Sequence, residues 1–221
     1  MSALIDRSRP ADFPFRAGFA DPVHGAQQAF RTLLAAMSYA GRVQVLPPVA
    51  LDGLQPADAE LAPPLPPGLA AVLLTLLDAQ TPALLAGGFA DAAPWLRFHT
   101  GARALRDGEP ATLAAARAAD VDPALCTRLA LGSDEAPQDG ATLVVEVDGL
   151  SDAAGSSDVA LALRGPGIAS VQRLCVAGLP ASFWAWRRAL RPAMPRGVDL
   201  VLAQGTRLAA IPRSTRIELE D

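Results

Sequence analysis

Apolar residues recur at three- and four-residue steps through residues 21–42, DPVHGAQQAFRTLLAAMSYAGR. Val23, Ala26, Gln27, Phe30, Leu33, Leu34 and Met37 form one stripe at helical spacing, apolar apart from Gln27. Asp21 is placed to cap the helix, Pro22 occupies the first helical position, and Gly41 ends it. This predicts a core helix, in which truncating Phe30 to alanine would cost about 3–5 kcal/mol.

The same patterning assigns the rest of the chain. Residues 1–20, with Pro10 and Pro14, are expected to form an extended arm pinned by Phe13, Phe15 and Phe19. Residues 42–46 alternate as a short strand, and 47–67 are a proline-rich surface loop. Residues 68–78 are a strongly apolar helix, 82–85 a short buried strand, and 87–94 a loop or helical turn. Trp95 to Gly101, WLRFHTG, is expected as a strand, with Leu96, Phe98 and Thr100 on one face and Arg97 and His99 on the other. The alanine-rich 110–120 is expected to be helical, as is 123–131, which Gly132 ends. Residues 141–147, ATLVVEV, make the best strand, being dominated by β-branched side chains. Residues 159–163 form another, running into Arg164-Gly165-Pro166-Gly167. Residues 180–191 are an amphipathic helix bearing Phe183, Trp184 and Trp186, and 198–203 with 207–211 make a C-terminal hairpin. The mixture predicts an α/β fold: a single layered domain spanning 1–221, with a mixed sheet and an antiparallel pair at 198–215.

Composition narrows the function. The 221 residues are 51% hydrophobic and 19% charged, with a net charge of −4 and no basic stripe, which argues against binding nucleic acid or anionic membranes. All 19 basic residues are arginine. Without lysine the chain cannot hold pyridoxal phosphate as a Schiff base or run lysine aldolase chemistry. Cys126 and Cys175 form no CxxC pair and are expected to be small buried hydrophobes. The N-terminus has no signal-peptide core, and the longest apolar run, 69–77, is too short to cross a membrane. A soluble cytoplasmic protein is expected.

Candidate chemistry is sparse. His24 and His99 are the only histidines, too few for a histidine-rich metal site, and no HExxH, GxGxxG, GxxxxGK[ST] or GxSxG pattern occurs. Asp134, Glu135 and Asp139 read as a solvated loop. Three places carry more. Arg97 and His99 could grip a phosphate or carboxylate from one strand face, although His99 bonding a backbone carbonyl and Arg97 pairing with an acid is the plainer alternative. Arg164, Gly165 and Gly167 form a turn whose amides could approach an anion, or an ordinary tight turn. Arg196-Gly197 and Arg213-Ser214-Thr215 flank the hairpin as a partner contact, an anion site or a solvated cluster. Trp184 and Trp186 are candidates for burial against a partner.

DPVHGAQQAFRTLLAAMSYAGR, WLRFHTGA at 95–102, ATLVVEV, ALRGPGI at 162–168, and PRGVDLVLA with AIPRST occur in that order. Together they resemble the H subunit of the bacterial carbon–phosphorus lyase core complex, the PhnH family, across residues 13–215. Ala40 departs from the proline the family commonly places before the helix-ending glycine. The resemblance implies an accessory subunit of phosphonate catabolism. With the G, I and L partners it would support attachment of an alkylphosphonate to the ribose C1 of ATP, displacing adenine. The product is α-D-ribose 1-methylphosphonate 5-triphosphate, whose C–P bond the J partner, a radical S-adenosylmethionine iron–sulfur subunit, later cleaves. It further implies a fold like the pyridoxal-phosphate-dependent transferases without that cofactor, a homodimer in isolation, and contacts with the G, I, J and L/K ATPase-like subunits. It assigns no catalytic residue. An anion-binding surface of Arg97, His99, Arg164, Gly165 and Gly167 is the expected site. The alternatives are an autonomous enzyme with His99 as acid/base and a pure assembly scaffold.

Overall fold

A computed structural model describes residues 16–106, 108–153 and 159–220. Phe13 and Phe15 of the expected arm lie outside the described residues. The chain runs α1 (Pro22–Ser38), β1 (Gln44–Val45), α2 (Pro67–Leu76), β2 (Ala83–Leu85), α3 (Ala93–Thr100), β3 (Leu113–Arg117) and α4 (Pro123–Arg128). It continues through β4 (Thr142–Glu146), β5 (Gly149–Ser151), β6 (Val159–Arg164), β7 (Gln172–Ala177), α5 (Ala181–Ala189), β8 (Asp199–Gln204), β9 (Arg207–Ile211) and β10 (Arg216–Glu220). Six strands form a mixed sheet in the order β1-β9-β8-β4-β3-β2, and four form a separate sheet in the order β10-β6-β7-β5. In the first, β2, β3, β4 and β8 are parallel, while β9 and β1 pair antiparallel. The second is antiparallel throughout.

The main sheet is buried on both faces, and strand alternation divides its side chains between two cores. Leu113, Ala115, Val144, Val201, Ala203, Leu208 and Ala210 pack beneath α1, α2 and α3. Ala114, Ala116, Leu143, Val145, Leu200, Leu202, Ala209 and Ile211 pack against the small sheet, α4 and α5. The fold is therefore α/β and layered, with the expected mixed sheet and C-terminal hairpin. Gly205, at φ 59°, makes the hairpin turn, and its carbonyl receives the Gly68 amide of α2 at 2.8 Å.

Three expectations need correction. First, α1 is capped as predicted, the Asp21 carboxylate accepting from the Val23 and His24 amides at 3.0 Å each. Its buried face, however, is Gly25, Ala29, Leu33 and Ala36, and Leu33 alone of the predicted stripe is fully buried. Small side chains let the helix lie close to its neighbours: a methyl on Gly25 would sit 2.7 Å from the Phe19 ring. Val23, Phe30 and Leu34 consequently stand 70%, 50% and 53% exposed.

Second, WLRFHTG is helical. Pro94 starts α3 within its first turn, and Gly101 ends it at φ 74° with its amide on the Arg97 carbonyl. Trp95 and Leu96 are the buried pair. Third, the alanine run is β3, held between β2 and β4. Alanine favours helix intrinsically, but a central strand crossed on both faces by packed elements has room for little else at 114–116. Strands β5, β7 and β10 were not predicted. Among the described residues no helix is long and apolar enough to cross a membrane.

These placements reverse the expectation for Phe30. Phe30→Ala is expected to cost less than about 1 kcal/mol in urea denaturation, whereas Trp184→Ala, at a fully buried position, is expected to cost about 3–5 kcal/mol. A loss at Phe30 as large as that at Trp184 would contradict the orientation of α1.

Candidate functional site

The five residues of the expected anion surface fall in two places. Arg97 and His99 sit on α3, where residues two apart do not share a face. His99 Nε2 lies 3.1 Å from the Arg16 carbonyl oxygen, and its ring stands edge-on to Trp95 and Phe98. Trp95 Nε1 donates to the carbonyls of Arg16 and Ala17 at 3.3 and 3.1 Å. The WLRFHTGA segment thus clamps residues 16–18, and Gly18 is so close to the His99 ring that a methyl there would lie 2.7 Å away. His99 takes the backbone-bonded role; Arg97 is exposed with no carboxylate in ion-pair reach among the described residues.

The Arg164–Gly167 turn closes β6 near the other end of α1, with Gly167 backed against the Ser38 carbonyl. The 17 residues of α1 separate the two places by roughly 25 Å, so they do not form one surface. Gly165 instead adjoins the backbone of Ser214 and Thr215, its would-be methyl 3.2 Å from the Thr215 Cα.

The C-terminal arginines have different roles. Arg213 is mostly buried and internal: its Nε lies 3.1 Å from Asp199 Oδ2, Nη1 donates to the Pro137 carbonyl, and Nη2 reaches the Gly140 carbonyl at 3.3 Å. It stitches the segment after β9 to the start of β8 and to the loop before β4. Arg196 has its Nε 3.2 Å from Asp134 Oδ1, a contact without hydrogen-bond alignment. Trp184 is fully buried within the chain's own core, with no partner for its Nε1 among the described residues. Trp186 is half-buried and lines a cavity of about 140 Å³ with Cys126 and Phe183. Cys126 and Cys175 are buried free thiols, and burial, with Asp122 nearby, pushes Cys126 up to about 11. Among the described residues no three His, Cys, Asp or Glu side chains gather as a metal site.

A cluster absent from the sequence reading lies at the carboxyl ends of the parallel strands, the edge where open α/β sheets place their ligands. There Arg117 ends β3 directly opposite Glu146, which ends β4. Asp120 accepts from the Gly88 amide at 3.3 Å, and Arg117 lies 5.2 Å from the Phe89 ring centroid. Glu146 Oε1 accepts from the Gly205 amide at 3.2 Å, while Oε2 has no partner among the described residues. Gln204 Nε2 donates to the Asp148 carbonyl at 3.0 Å. Burial pushes the Glu146 carboxyl up to about 7; the Gly205 amide and Arg117 oppose the rise and Asp148 adds to it. Such a group can accept or deliver a proton near neutrality. The Gly87-Gly88 pair after a short strand was the available sequence signal; reading 110–120 as helix concealed the rest.

The pH consequence is direct. The folded pKa of Glu146 lies above its ordinary value of 4.5, so its contribution to stability is fully present below that value and is lost as pH rises through about 7. Glu146→Gln is expected to gain stability relative to the parent chain by roughly 1–2 kcal/mol at pH 8 but not at pH 4, the figure being reduced for solvent screening. Urea titrations giving a gap independent of pH would contradict the buried carboxyl.

The family model described as bacterial phosphonate metabolism protein (PhnH) matches residues 17–218, from the arm clamped by Trp95 through both sheets to β10. The alpha-D-ribose 1-methylphosphonate 5-triphosphate synthase subunit PhnH of Rhizobium meliloti (strain 1021) is 35% identical over 213 residues, covering 93% of this chain and 96% of that protein. A putative C-P lyase subunit protein of Stutzerimonas stutzeri, HtxG, is 36% identical over 196 residues, covering 88% of this chain and 86% of its own. With the match extending over the arm, both cores and both sheets, the chain belongs to the PhnH family of bacterial phosphonate metabolism proteins.

Proposed function

We propose that this chain is an accessory subunit of a carbon–phosphorus lyase system for phosphonate catabolism. In that role it supports formation of α-D-ribose 1-methylphosphonate 5-triphosphate from ATP and methylphosphonate. The observation that carries this reading is the end-to-end likeness to a subunit of that synthase, at 35% identity over 93% of the chain. Its partners in this reading are the G, I, J and L/K subunits, with self-association in their absence. No turnover is expected of the chain alone.

The surface supports an assembling role. Val23, Phe30 and Leu34 form an exposed apolar line along α1. A run of large apolar groups beside one another on a helix face is characteristic of a docking surface. The free buried thiols fit a reducing compartment, which favours the cytoplasm. The mixed sheet with four parallel strands is compatible with descent from a pyridoxal-phosphate transferase fold, and the missing lysine removes the residue that would anchor that coenzyme. Against an autonomous His99 enzyme stands the placement of Nε2 on the Arg16 carbonyl.

Co-expression of the tagged chain with the G, I and J subunits from the same source is expected to yield a stoichiometric complex on sizing; a lone chain or homodimer that ignores them would contradict the subunit reading. Phe30→Glu combined with Leu34→Glu is expected to change stability by less than about 1 kcal/mol and to abolish co-purification. A complex that survives both substitutions would exclude this face of α1 as the interface.

A further inference from the structure

The last turn of α5 and the start of β10 enclose a pocket of about 210 Å³. Arg187, Arg188, Arg191 and Arg216 line it, together with Thr215 and a single carboxylate, Glu218. Two of these residues are buried with a polar atom that has no partner among the described residues. Arg187 is 3% exposed; its Nη2 donates to the Pro212 carbonyl at 3.0 Å, but its Nε donates to nothing. Thr215 is 1% exposed, and its hydroxyl has no partner. Arg191 spends one donor on the Ser214 carbonyl at 3.1 Å. Arg188 and Arg216 are exposed, with no carboxylate in ion-pair reach among the described residues.

Arginines in a helix's last turn are favoured by the helix dipole, which accounts for Arg187 and Arg188 at the end of α5. It does not account for a guanidinium N–H and a hydroxyl both withdrawn from water and left unpaired, each of which costs free energy in the empty protein. Burial pulls Arg187 down to about 10, against the opposing pull of Asp199, so the group remains cationic at neutral pH. The like-charged pair Arg164 and Arg216, directly opposite across β6 and β10, is a further unfavourable feature that a bound anion would relieve.

We infer that this pocket binds a tetrahedral oxyanion, the phosphoryl or phosphonyl group of a small ligand, with Arg188, Arg191 and Arg216 as its charge and with the Arg187 Nε–H and the Thr215 hydroxyl, both shut off from water in the anion-free protein, rotating toward the anion as inner donors. Forked guanidinium donors match such oxygens in pairs. A carboxylate offers two oxygens to at least five available groups, whereas a phosphate or phosphonate offers three or four and a second negative charge. The volume lies below the roughly 300–1,000 Å³ of sites for drug-sized ligands, so the pocket takes an ion or the terminal group of a longer chain. That the pocket takes a tetrahedral oxyanion rests on its own lining; that the anion is phosphoryl or phosphonyl rests on the subunit reading, which co-purification tests separately.

The test is calorimetric titration of the intact chain with inorganic phosphate, with methylphosphonate and with tripolyphosphate, repeated on Thr215→Val and Arg188→Ala. The parent chain is expected to bind at least one of them at about 10 mM or below, with affinity falling as salt rises. Tighter binding of tripolyphosphate than of the two small anions would identify the terminus of a polyphosphate as the source; tighter binding of methylphosphonate would identify a free phosphonate. Both variants are expected to weaken binding by about tenfold or more. Thr215→Val has a second signature: removal of an unpaired buried hydroxyl should raise the melting temperature of the anion-free protein even as it weakens the anion. No heat with any of the three, or binding unchanged in both variants, would overturn the assignment.

Discussion

The two-sided burial of β3, β4 and β8 is the constraint on which the rest of the structure depends. Parallel strands joined by crossovers are covered on both faces, so their sequences are apolar without alternation. Thr142–Glu146 and Asp199–Gln204 show this, each with a fully buried interior. Covering one face requires α1, α2 and α3. Covering the other falls to α4 and to the long connection from β4 to β8, into which the chain places β5, β6, β7 and α5. Strand β10 then returns after the hairpin to complete the small sheet against β6. Each Leu or Val buried in either core contributes about 1.5–3 kcal/mol before entropy is counted, so the two layers stand or fall with the sheet between them.

Charge is handled at the seams between layers. Asp199, at the start of β8, draws in Arg213, whose remaining donors satisfy carbonyls of the loop at 137–140. Arg187 enters the same region from α5 but, among the described residues, finds one acceptor, the Pro212 carbonyl. The contrast is informative, because neighbouring buried arginines on one seam differ in completeness: Arg213 is saturated by the fold, and Arg187 is not. At the opposite end of the sheet, Glu146 keeps one oxygen unpaired. The fold therefore satisfies its structural charges and leaves its unpaired ones beside openings or strand ends.

Much of this was legible in the sequence. The helix at 22–38 announced itself through Asp21 and Pro22, the strand at 142–146 through its β-branched residues, and the hairpin through Gly205. What failed did so for stated physical reasons. In α1 the eye follows bulk, but close packing selected the glycine–alanine face and turned Phe30 and Leu34 outward. In WLRFHTG a seven-residue alternation fits a strand as readily as one side of a short helix, and Pro94 with Gly101 were the signals that decided it. In β3, tertiary confinement overrode alanine's helix preference. The site was less visible still. Arg213-Ser214-Thr215 and Arg164-Gly165 were separately conspicuous, but only β10 pairing with β6 brings Thr215 beside Gly165 and Arg216 opposite Arg164.

The proposed subunit role agrees with the surface of the chain. Its cores and its thiols are buried, while Val23, Phe30 and Leu34 leave an exposed apolar line along α1. The most direct measurement is hydrogen exchange by mass spectrometry on the free chain and on the chain assembled with its partner subunits. Slower exchange across residues 22–38 in the assembly, with β3, β4 and β8 equally slow in both states, is the expected result. Unchanged exchange along α1 in a demonstrably assembled complex would contradict the proposal that this helix is the face the chain presents to its partners.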